Sequence, residues 1–224
     1  ELSDMLHIQN VSELINADNF FDSLDKVQYY ADEPTANLSA VPLYFLSDLA
    51  SKHVKVVLSG EGADELFGGY PFYKEDDLLI KYRKVPGFIR KALKTIVSPL
   101  PEFHGKNFLT KGGSKVEDYY IGNAFVFNNR EANNILSDKY QSNITFQSIT
   151  KPYYDEVKGK DDLTKMQYLD MHFWLPNDIL LKADKMSMAN SLEVRVPILD
   201  KEVFALASTI PSEYKLSHGT TKYI

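Results

Sequence analysis

The stretch from Lys55 to Tyr70 constrains the fold of this chain more than any other, because its character changes halfway along. Val54–Leu58 is a short β-branched apolar run, which is typical of a strand buried on both faces. Ser59, Gly60 and Gly62 follow and allow a tight turn in which backbone amides approach a ligand. A strand that ends in such a turn is how an open α/β sheet presents a site at its carboxyl edge.

Three carboxylates accompany this turn within five positions: Glu61, Asp64 and Glu65. Carboxylates alone do not hold phosphate, but they hold Mg²⁺, which in turn holds phosphate. The alternative is an ordinary turn between a strand and a helix, with acidic residues that stabilise the helix start. The local pattern leaves both interpretations open.

Composition excludes several classes of protein. The 224 residues are enough for one large domain or two small ones, and the net charge of −6 argues against a mainly electrostatic nucleic-acid binder. The chain has no cysteine, which excludes disulfides, thiolate zinc sites and cysteine nucleophiles within it. No apolar run approaches the length of a membrane span and no signal peptide is visible, so we expect a cytoplasmic protein with no membrane or nucleic-acid partner.

Helical spacing dominates the rest of the chain. Apolar periodicity, N-cap residues and proline positions predict helices over residues 17–30, 40–52, 86–97, 116–127, 129–136, 145–157, 161–174, 177–191 and 201–209. We expect a second short strand at Leu6–Val11, a loop at 101–115 and a helix break at Leu175-Pro176. The Lys111–Lys115 run lacks a preceding strand and the Walker spacing, so we reject it as a phosphate loop.

Aromatic and basic residues in two of these helices have unremarkable explanations. The aromatics of 116–127 suit core packing better than ligand stacking. The basic face of 86–97 suits a solvated helix surface better than a membrane or anion site. A lone strand cannot satisfy its own backbone groups, and the chain begins with Glu1 rather than methionine. We therefore expect a piece of a longer protein.

A second polar constellation lies in Leu175–Asp200. Asp178 and Lys182 have the i, i+4 spacing of a surface ion pair on a helix. Glu193 and Arg195 share one side of an extended segment and flank valines, so we expect both to be partly buried and paired. A structural salt-bridge network explains this pattern better than a ligand clamp, but both remain open.

Two long motifs resemble the synthetase domain of glutamine-dependent asparagine synthetases. The matching sequences are VLSGEGADELFGGY at 57–70 and LPNDILLKADKMSMANSLEVRVPILD at 175–200. Shorter signatures are Asp32-Glu33-Pro34 and GTTKY at 219–223. The resemblance runs from about Asp32 to the end of the chain, although residues 75–160 contribute little to it.

The resemblance implies a fold and a domain organisation. The fold is α/β, the mostly helical later part of an ATP-pyrophosphatase-type (adenine nucleotide α-hydrolase-like) domain with few parallel strands. Residues 1–224 then form a single partial domain. The family's glutaminase domain, with its catalytic cysteine, and its Ser-Gly-Gly-x-Asp-Ser pyrophosphate loop lie outside this sequence. A homodimer is compatible with the resemblance but is not indicated by the residues.

The implied function is that of an asparagine synthase (glutamine-hydrolysing) type ligase. Such an enzyme uses ATP and Mg²⁺ to convert aspartate to asparagine through β-aspartyl-AMP, and it releases AMP and pyrophosphate. The ammonia comes from glutamine through the glutaminase domain of the same parent chain, and we expect residues 1–224 alone to be inactive. The alternatives are a ligase for another carboxylate, including a ring-closing relative, and a non-catalytic nucleotide-binding or helical scaffold. Free ammonia as the nitrogen source also stays open.

The resemblance also assigns roles to residues. Ser59 and Gly60 match backbone that meets the nucleotide, and Glu61 matches an acid that accepts a proton from incoming ammonia. Asp64 matches a Mg²⁺ ligand. Lys222 matches a lysine that neutralises charge on the α-phosphate and on the departing pyrophosphate.

Other family positions carry roles that the sequence leaves open. Asp184, Glu193 and Arg195 serve either as structural support or as ligand contacts. Lys185 stands where the family often has arginine, and a lysine offers a point charge rather than a bidentate fork. Asn37 stands where the family often has aspartate.

Overall fold

The structure is a computed structural model that describes residues 2–101, 103–123, 126–217 and 219–224. The α-helices of these residues are α1 (Leu2–Met5), α2 (Ala17–Asp22), α3 (Leu24–Ala31), α4 (Ala40–Ser51), α5 (Ala63–Phe67), α6 (Asp77–Arg83), α7 (Gly87–Val97), α8 (Lys106–Gly112), α9 (Asn129–Ile135), α10 (Phe146–Glu156), α11 (Asp162–His172), α12 (Leu181–Met188), α13 (Lys201–Thr209) and α14 (Ser212–Lys215). The strands are β1 (Val56–Leu58) and β2 (Glu193–Arg195). Single 3₁₀ turns and a π-helix complete the chain: Pro71–Tyr73, Val116–Asp118, Asp138–Tyr140, Pro197–Leu199 and the π-helix Leu175–Leu180.

The fold class is α/β, mostly helical with a small parallel sheet, as the sequence predicts. Backbone contacts divide the chain into two compact units, Glu1–Glu61 with Asn177–Pro197 and Gly62–Pro176 with Ile198–Ile224. Assignment of residues 1–224 to a single partial domain stays a prediction. Within the described ranges, no helix combines the length and the apolar character that crossing a bilayer requires.

The first unit is organised around a parallel strand pair. β1 pairs with β2 in the register Val56↔Glu193, Val57↔Val194 and Leu58↔Arg195. Helix α12 packs against α3, α4 and β2. Its buried residues Ala183, Met186 and Ser187 follow helical spacing and form one face. The core of this unit consists of Val27, Ala40, Val41, Tyr44 and Met186.

The prediction that β1 is buried on both faces is wrong for the described residues. Val56 is 43% exposed and Leu58 is 74% exposed. β1 pairs only with β2 among these residues, so its other edge has no neighbouring strand there. The apolar run therefore predicts the strand correctly, but part of the apolar surface of the strand is exposed to solvent.

The second unit has a separate aromatic core. Its buried members are Tyr73, Val116, Tyr120, Tyr154, Val157, Leu163, Met166 and Leu169. Complete burial of a side chain such as Leu169 stabilises a fold by about 1.5–3 kcal/mol relative to exposure. The core-packing interpretation is thus confirmed for Tyr120. Phe127 is exposed, and Phe125 lies outside the described residues.

A carboxyl group is buried in this aromatic core. Asp170 on α11 has no exposed surface, and its Oδ2 accepts hydrogen bonds from the hydroxyls of Tyr73 and Tyr120. Burial raises the pKa of Asp170 to about 6, against the lowering effect of the two tyrosine hydrogen bonds. The core therefore contains a group that changes charge in the mildly acidic range.

Two loop and strand predictions are wrong. Leu6–Val11 contains no strand and follows the short helix α1 as irregular chain. The segment expected to be a loop at 101–115 contains helix α8, which packs on α7. A Cβ at Gly112 would lie 2.3 Å from the Tyr82 ring, and Arg90 Nη1 donates to the Gly112 carbonyl. Tertiary packing therefore outweighs the weak helix propensity of this glycine-bearing segment.

Two helix predictions also need correction. The helix expected at 116–127 is limited to the 3₁₀ turn Val116–Asp118 in the described part of that range, and Gly122 has a φ of +91° that is incompatible with a right-handed helix. The helix break expected at Leu175-Pro176 falls slightly earlier, because α11 ends at His172 with Phe173 as its C-cap, and the next helical segment starts at Leu175 as a π-helix that leads into α12. A proline in the first turn is tolerated because its missing N–H would have had no partner.

The remaining helix predictions are confirmed with small shifts at the ends, although 17–30 is divided between α2 and α3. Asp200 caps α13 as expected, because its side chain accepts a hydrogen bond from the Glu202 N–H at 2.8 Å.

Candidate active site

One group of candidate site residues, in the first unit, is the turn that follows β1. The Ser59 N–H donates to the Arg195 carbonyl at 2.8 Å, so pairing with β2 continues one residue beyond the strand. The Glu61 N–H lies 3.4 Å from Ser59 Oγ, which stabilises the turn. A Cβ at Gly60 would meet no atom within 4 Å, so this stretch of backbone is open to a ligand. The predicted carboxyl-end turn therefore exists, with its backbone accessible.

A cavity of about 390 Å³ opens beside this turn within the first unit. Its walls are mainly apolar and come from α4, β1, Ala183, Leu192 and Val194, while Ser59, Gly60 and Glu61 supply polar groups. An apolar pocket with a few polar groups at one side is typical of small-molecule sites in proteins. The cavity therefore has the character of a site for a small molecule.

A separate group of candidate site residues, in the second unit, lies at the start of α5. The N-cap Gly62 has a φ of +87°, and a Cβ there would lie 2.2 Å from Leu199 Cδ2. Asp64 follows in the first helical turn, where its Oδ1 lies 2.8 Å from Lys222 Nζ. Both side chains are about 40% exposed, with values of 38% for Asp64 and 43% for Lys222. An ion pair this exposed stabilises a fold by only about 0–1 kcal/mol, so stability alone is a weak explanation for it.

Local structure holds the backbone around Lys222. Ser217 and Thr220 form an antiparallel bridge, and Lys74 Nζ donates to the Gly219 carbonyl at 3.0 Å. The Tyr223 N–H donates to the Lys215 carbonyl at 3.1 Å. Lys222 itself has a φ of +48°, a left-handed conformation that costs a non-glycine residue about 1 kcal/mol or more. The lysine is therefore fixed in an unfavourable backbone conformation beside Asp64.

A buried network lies on the next residue of α5. Glu65 is 1% exposed, and its Oε1 accepts a hydrogen bond from the Tyr70 hydroxyl at 2.7 Å. Its carbonyl accepts from Gln167 Nε2 at 2.5 Å, and Gln167 Oε1 accepts from the buried Lys215 Nζ at 3.3 Å. Burial and the bond to Glu65 raise the pKa of Tyr70, and burial lowers the pKa of Lys215. Glu65 is thus part of the support beneath Asp64 rather than a third surface carboxylate.

Sequence reasoning missed this network, although helix geometry offers a signal. Successive helix positions differ by about 100° in direction, so Asp64 and Glu65 cannot both face the same ligand. An acid on the buried face of a helix requires hydrogen-bond donors, but the sequence does not reveal that Tyr70 and Gln167 provide them.

Asp64 is suited to hold Mg²⁺ as one ligand among several. The described residues contain no cluster of three or more histidine or acidic side chains that could hold a metal ion. Mg²⁺ is commonly bound by one or two carboxylates together with substrate phosphates and water. Asp64 supplies one partly exposed carboxylate of this kind, and Lys222 Nζ, 2.8 Å from its Oδ1, would have to share or release that oxygen.

Glu193 and Arg195 form a pair, as expected, but they are not buried. Arg195 Nε donates to Glu193 Oε1 at 2.8 Å, and the side chains are 65% and 56% exposed respectively. The expectation of partial burial is wrong because the face of the short sheet that carries them lacks cover in the described residues. Asp184 is exposed on α12, and no described contact joins its side chain to this pair.

The expected ion pair between Asp178 and Lys182 is not formed. Asp178 Oδ2 instead accepts from Asn37 Nδ2 at 2.6 Å, and Lys182 Nζ donates to Ser39 Oγ at 2.9 Å. These two bonds hold residues 37–39 against the π-helix at Asp178 and the first turn of α12 at Lys182. Helical spacing identified the polar residues, but their partners are distant in sequence and were missed.

Comparison with known proteins agrees with these motifs. The profile of the asparagine synthase family matches residues 1–224. The chain belongs to the asparagine synthase family.

Curated relatives support this assignment. "Asparagine synthetase [glutamine-hydrolyzing] 1" of Bacillus subtilis is 45% identical over 100% of this chain and 35% of its own length. A "Putative asparagine synthetase [glutamine-hydrolyzing]" of Mycobacterium bovis is 44% identical over 96% of this chain and 33% of its own length. A more distant relative, "Asparagine synthetase [glutamine-hydrolyzing] 3" of B. subtilis, is 26% identical over 94% of this chain. The chain therefore spans about a third of the length of these asparagine synthetase relatives.

One residue that departs from the asparagine synthase pattern forms an ion pair within the first unit. Lys185, where family resemblance leads us to expect arginine, forms an ion pair with Asp32 of the Asp32-Glu33-Pro34 motif. The pair raises the pKa of Lys185, and Asp32 is the main cause. This contact links two family motifs within the first unit.

Proposed function

We propose that the protein carrying this chain is an ATP-dependent ligase that converts aspartate to asparagine through β-aspartyl-AMP. Membership in the asparagine synthase family and the printed names of the relatives support this proposal. The observation that carries it is the ion pair between Asp64 and Lys222, because the family resemblance assigns the metal ligand and the phosphate-neutralising cation to these two residues.

In the first step, an oxygen of the aspartate side-chain carboxylate attacks the α-phosphorus of ATP. The bond from that phosphorus to the bridging oxygen breaks, and pyrophosphate leaves with its electron pair. Lys222 neutralises charge that accumulates on the α-phosphate and the leaving group, which favours the transition state over the ground state. Asp64 would hold Mg²⁺, which when bound would supply Lewis-acid stabilisation of phosphate charge.

In the second step, ammonia attacks the carbonyl carbon of the acyl-adenylate and AMP departs. Glu61 accepts the proton that the nitrogen loses. The backbone of Ser59 and Gly60 contacts the nucleotide, and the open surface at Gly60 is compatible with this role. These assignments rest on sequence position in the family motif.

The rest of the parent protein completes the proposal. We propose an ATP-pyrophosphatase-type sheet in which further strands pair with the free edge of β1 and additional chain covers its exposed face, including Leu58. Ammonia comes from glutamine through a glutaminase domain, whose cysteine nucleophile lies outside this cysteine-free sequence.

The test is pyrophosphate release from ATP by the full-length parent in ammonium buffer, with and without aspartate. Release should depend on aspartate and should fall by about 10²-fold or more in Asp64→Asn and in Lys222→Ala, because each removes a preorganised electrostatic contact. Lys151→Ala and Asp155→Asn are matched controls, since they break an exposed lysine–aspartate pair elsewhere in the same unit and should leave release unchanged.

Other outcomes would redirect the proposal. Release with a different carboxylic acid, but not with aspartate, would keep the chemistry and change the substrate. ATP binding without release for any acid would favour a non-catalytic nucleotide-binding scaffold.

A further inference from the structure

Gly69 lies directly against the ion pair of Asp64 and Lys222. A Cβ built on Gly69 would lie 1.7 Å from Asp64 Oδ1 and 2.3 Å from Lys222 Cε. Real Cβ atoms do not approach other heavy atoms this closely, so the two charged side chains occupy the space that any other residue at position 69 would need. The Gly69 N–H also donates to the Asp64 carbonyl at 2.9 Å, which fixes its backbone to helix α5.

The requirement for glycine at this position is one of space and not of backbone conformation. Gly69 is not among the glycines with positive φ, so its backbone is accessible to alanine. Its neighbour Gly68 is the opposite case. Gly68 has a φ of +70°, but a Cβ there would lie 3.5 Å from Leu216 Cδ2, which is an ordinary contact. Two adjacent glycines therefore serve different purposes, and only Gly69 is constrained by the charged pair.

A contribution to stability is a poor explanation for the ion pair of Asp64 and Lys222. Its side chains are 38% and 43% exposed, and Lys222 is held with a φ of +48°. A surface pair of this kind contributes little to stability, whereas a lysine in the left-handed region has a cost. The arrangement also requires a glycine next to the pair. Its role is therefore better explained as holding the two charged groups in defined positions.

We propose that Gly69 is a positioning residue for Asp64 and Lys222. Its missing Cβ lets the carboxylate and the lysine stem lie against the backbone, which sets where both charged ends stand. An alanine at 69 displaces both groups at once without removing either. This inference rests on the proposed function for its effect on turnover, but its steric basis is independent of that function.

The first test is Gly69→Ala in the full-length parent, with aspartate-dependent pyrophosphate release as the readout. Displacement of reacting groups by about 1 Å costs turnover on the order of 10²-fold, so we expect a loss of this size. We also expect the Mg²⁺ concentration that gives half-maximal release to rise, because Asp64 is displaced. Gly87→Ala is the matched control: it has no positive φ, and its Cβ would lie 3.7 Å from Arg90 Nη2, so both quantities should stay at wild-type values.

The second test uses stability alone and does not depend on catalysis. We expect Gly69→Ala to lower the Tm by several degrees in the wild-type background. In a background that carries Asp64→Ala and Lys222→Ala, the obstructing atoms are gone and the same change should leave Tm unaltered. This cycle remains informative if Gly69→Ala reduces the yield of folded protein, because the trimmed background should restore it.

The results separate two failures. If the wild-type parent releases no pyrophosphate with aspartate, the proposed function fails, while the stability cycle still decides the role of Gly69. The inference is overturned if Gly69→Ala matches wild type in turnover and Mg²⁺ requirement, or if it lowers Tm equally in both backgrounds.

Discussion

Asp170 offers a perturbation whose effect can be worked out from the structure. The carboxyl group is fully buried in the aromatic core and accepts hydrogen bonds from Tyr73 and Tyr120. Asp170→Asn keeps an oxygen that accepts from both hydroxyls but removes the ionisable group. The variant therefore isolates the cost of ionising a buried carboxyl, which appears as a dependence of stability on pH.

The sign and size follow from the pKa values. The folded-state pKa of about 6 lies above the ordinary value of 3.8, so between these values the native protein binds the proton more tightly than the unfolded chain. The stability that this proton binding provides is fully present below about pH 3.8 and is lost as pH rises through about 6. Two pKa units at about 1.4 kcal/mol each give a loss of about 3 kcal/mol.

Urea unfolding of wild type and Asp170→Asn at about pH 4 and about pH 7 measures this pH-dependent loss of stability. The free energy of unfolding of the variant minus that of wild type should increase by about 2–2.5 kcal/mol between the two pH values, because at pH 4 part of the loss has already occurred. Asp155→Asn, which alters an exposed ion pair with Lys151, is the control and should show a difference that varies little with pH. A constant difference for Asp170→Asn would refute the assignment of a raised pKa to this carboxyl.

Two further predictions concern packing and charge. Gly62→Ala should destabilise the protein by about 2–4 kcal/mol in thermal unfolding, because it combines backbone strain with a clash against Leu199. Gly159 is the control, since it has a φ of +85° and no atom lies within 4 Å of the position of its Cβ. Gly159→Ala should therefore be destabilised by backbone strain alone. Asn37→Asp should destabilise at neutral pH, because it places a second carboxylate about 2.6 Å from Asp178, and acid should relieve the loss. Asn37→Ala should lack this relief in urea unfolding at low pH, and an equal pH response in both variants would contradict the repulsion.

Local patterns predicted those parts of the fold that depend on neighbouring residues. The strand before Ser59, the helix α7 and the cap at Asp200 follow from short-range periodicity and capping chemistry. Helix α8 does not follow from the local pattern. Its Gly112 makes room for the Tyr82 ring, which is distant in sequence. Tertiary packing of this kind leaves no signature in the local pattern.

The candidate site was predictable as residue types but not as contacts. The motifs identified Asp64 and Lys222 individually, and the structure joins them at 2.8 Å. The burial of Glu65 and the close approach of Gly69 to the pair were missed, since both depend on segments far apart in the chain. The exposure of Glu193 was missed as well, because sequence pattern does not show which sheet face has cover.

The measurement that tests the central proposal most directly follows the oxygen atoms of aspartate. The full-length parent would be supplied with ATP, a nitrogen source and aspartate labelled with ¹⁸O in its side-chain carboxylate. The proposal predicts one ¹⁸O atom in the phosphate of the AMP product, because the attacking carboxylate oxygen stays with AMP when ammonia displaces it. AMP without label, or label recovered in inorganic phosphate, would contradict a β-aspartyl-AMP intermediate.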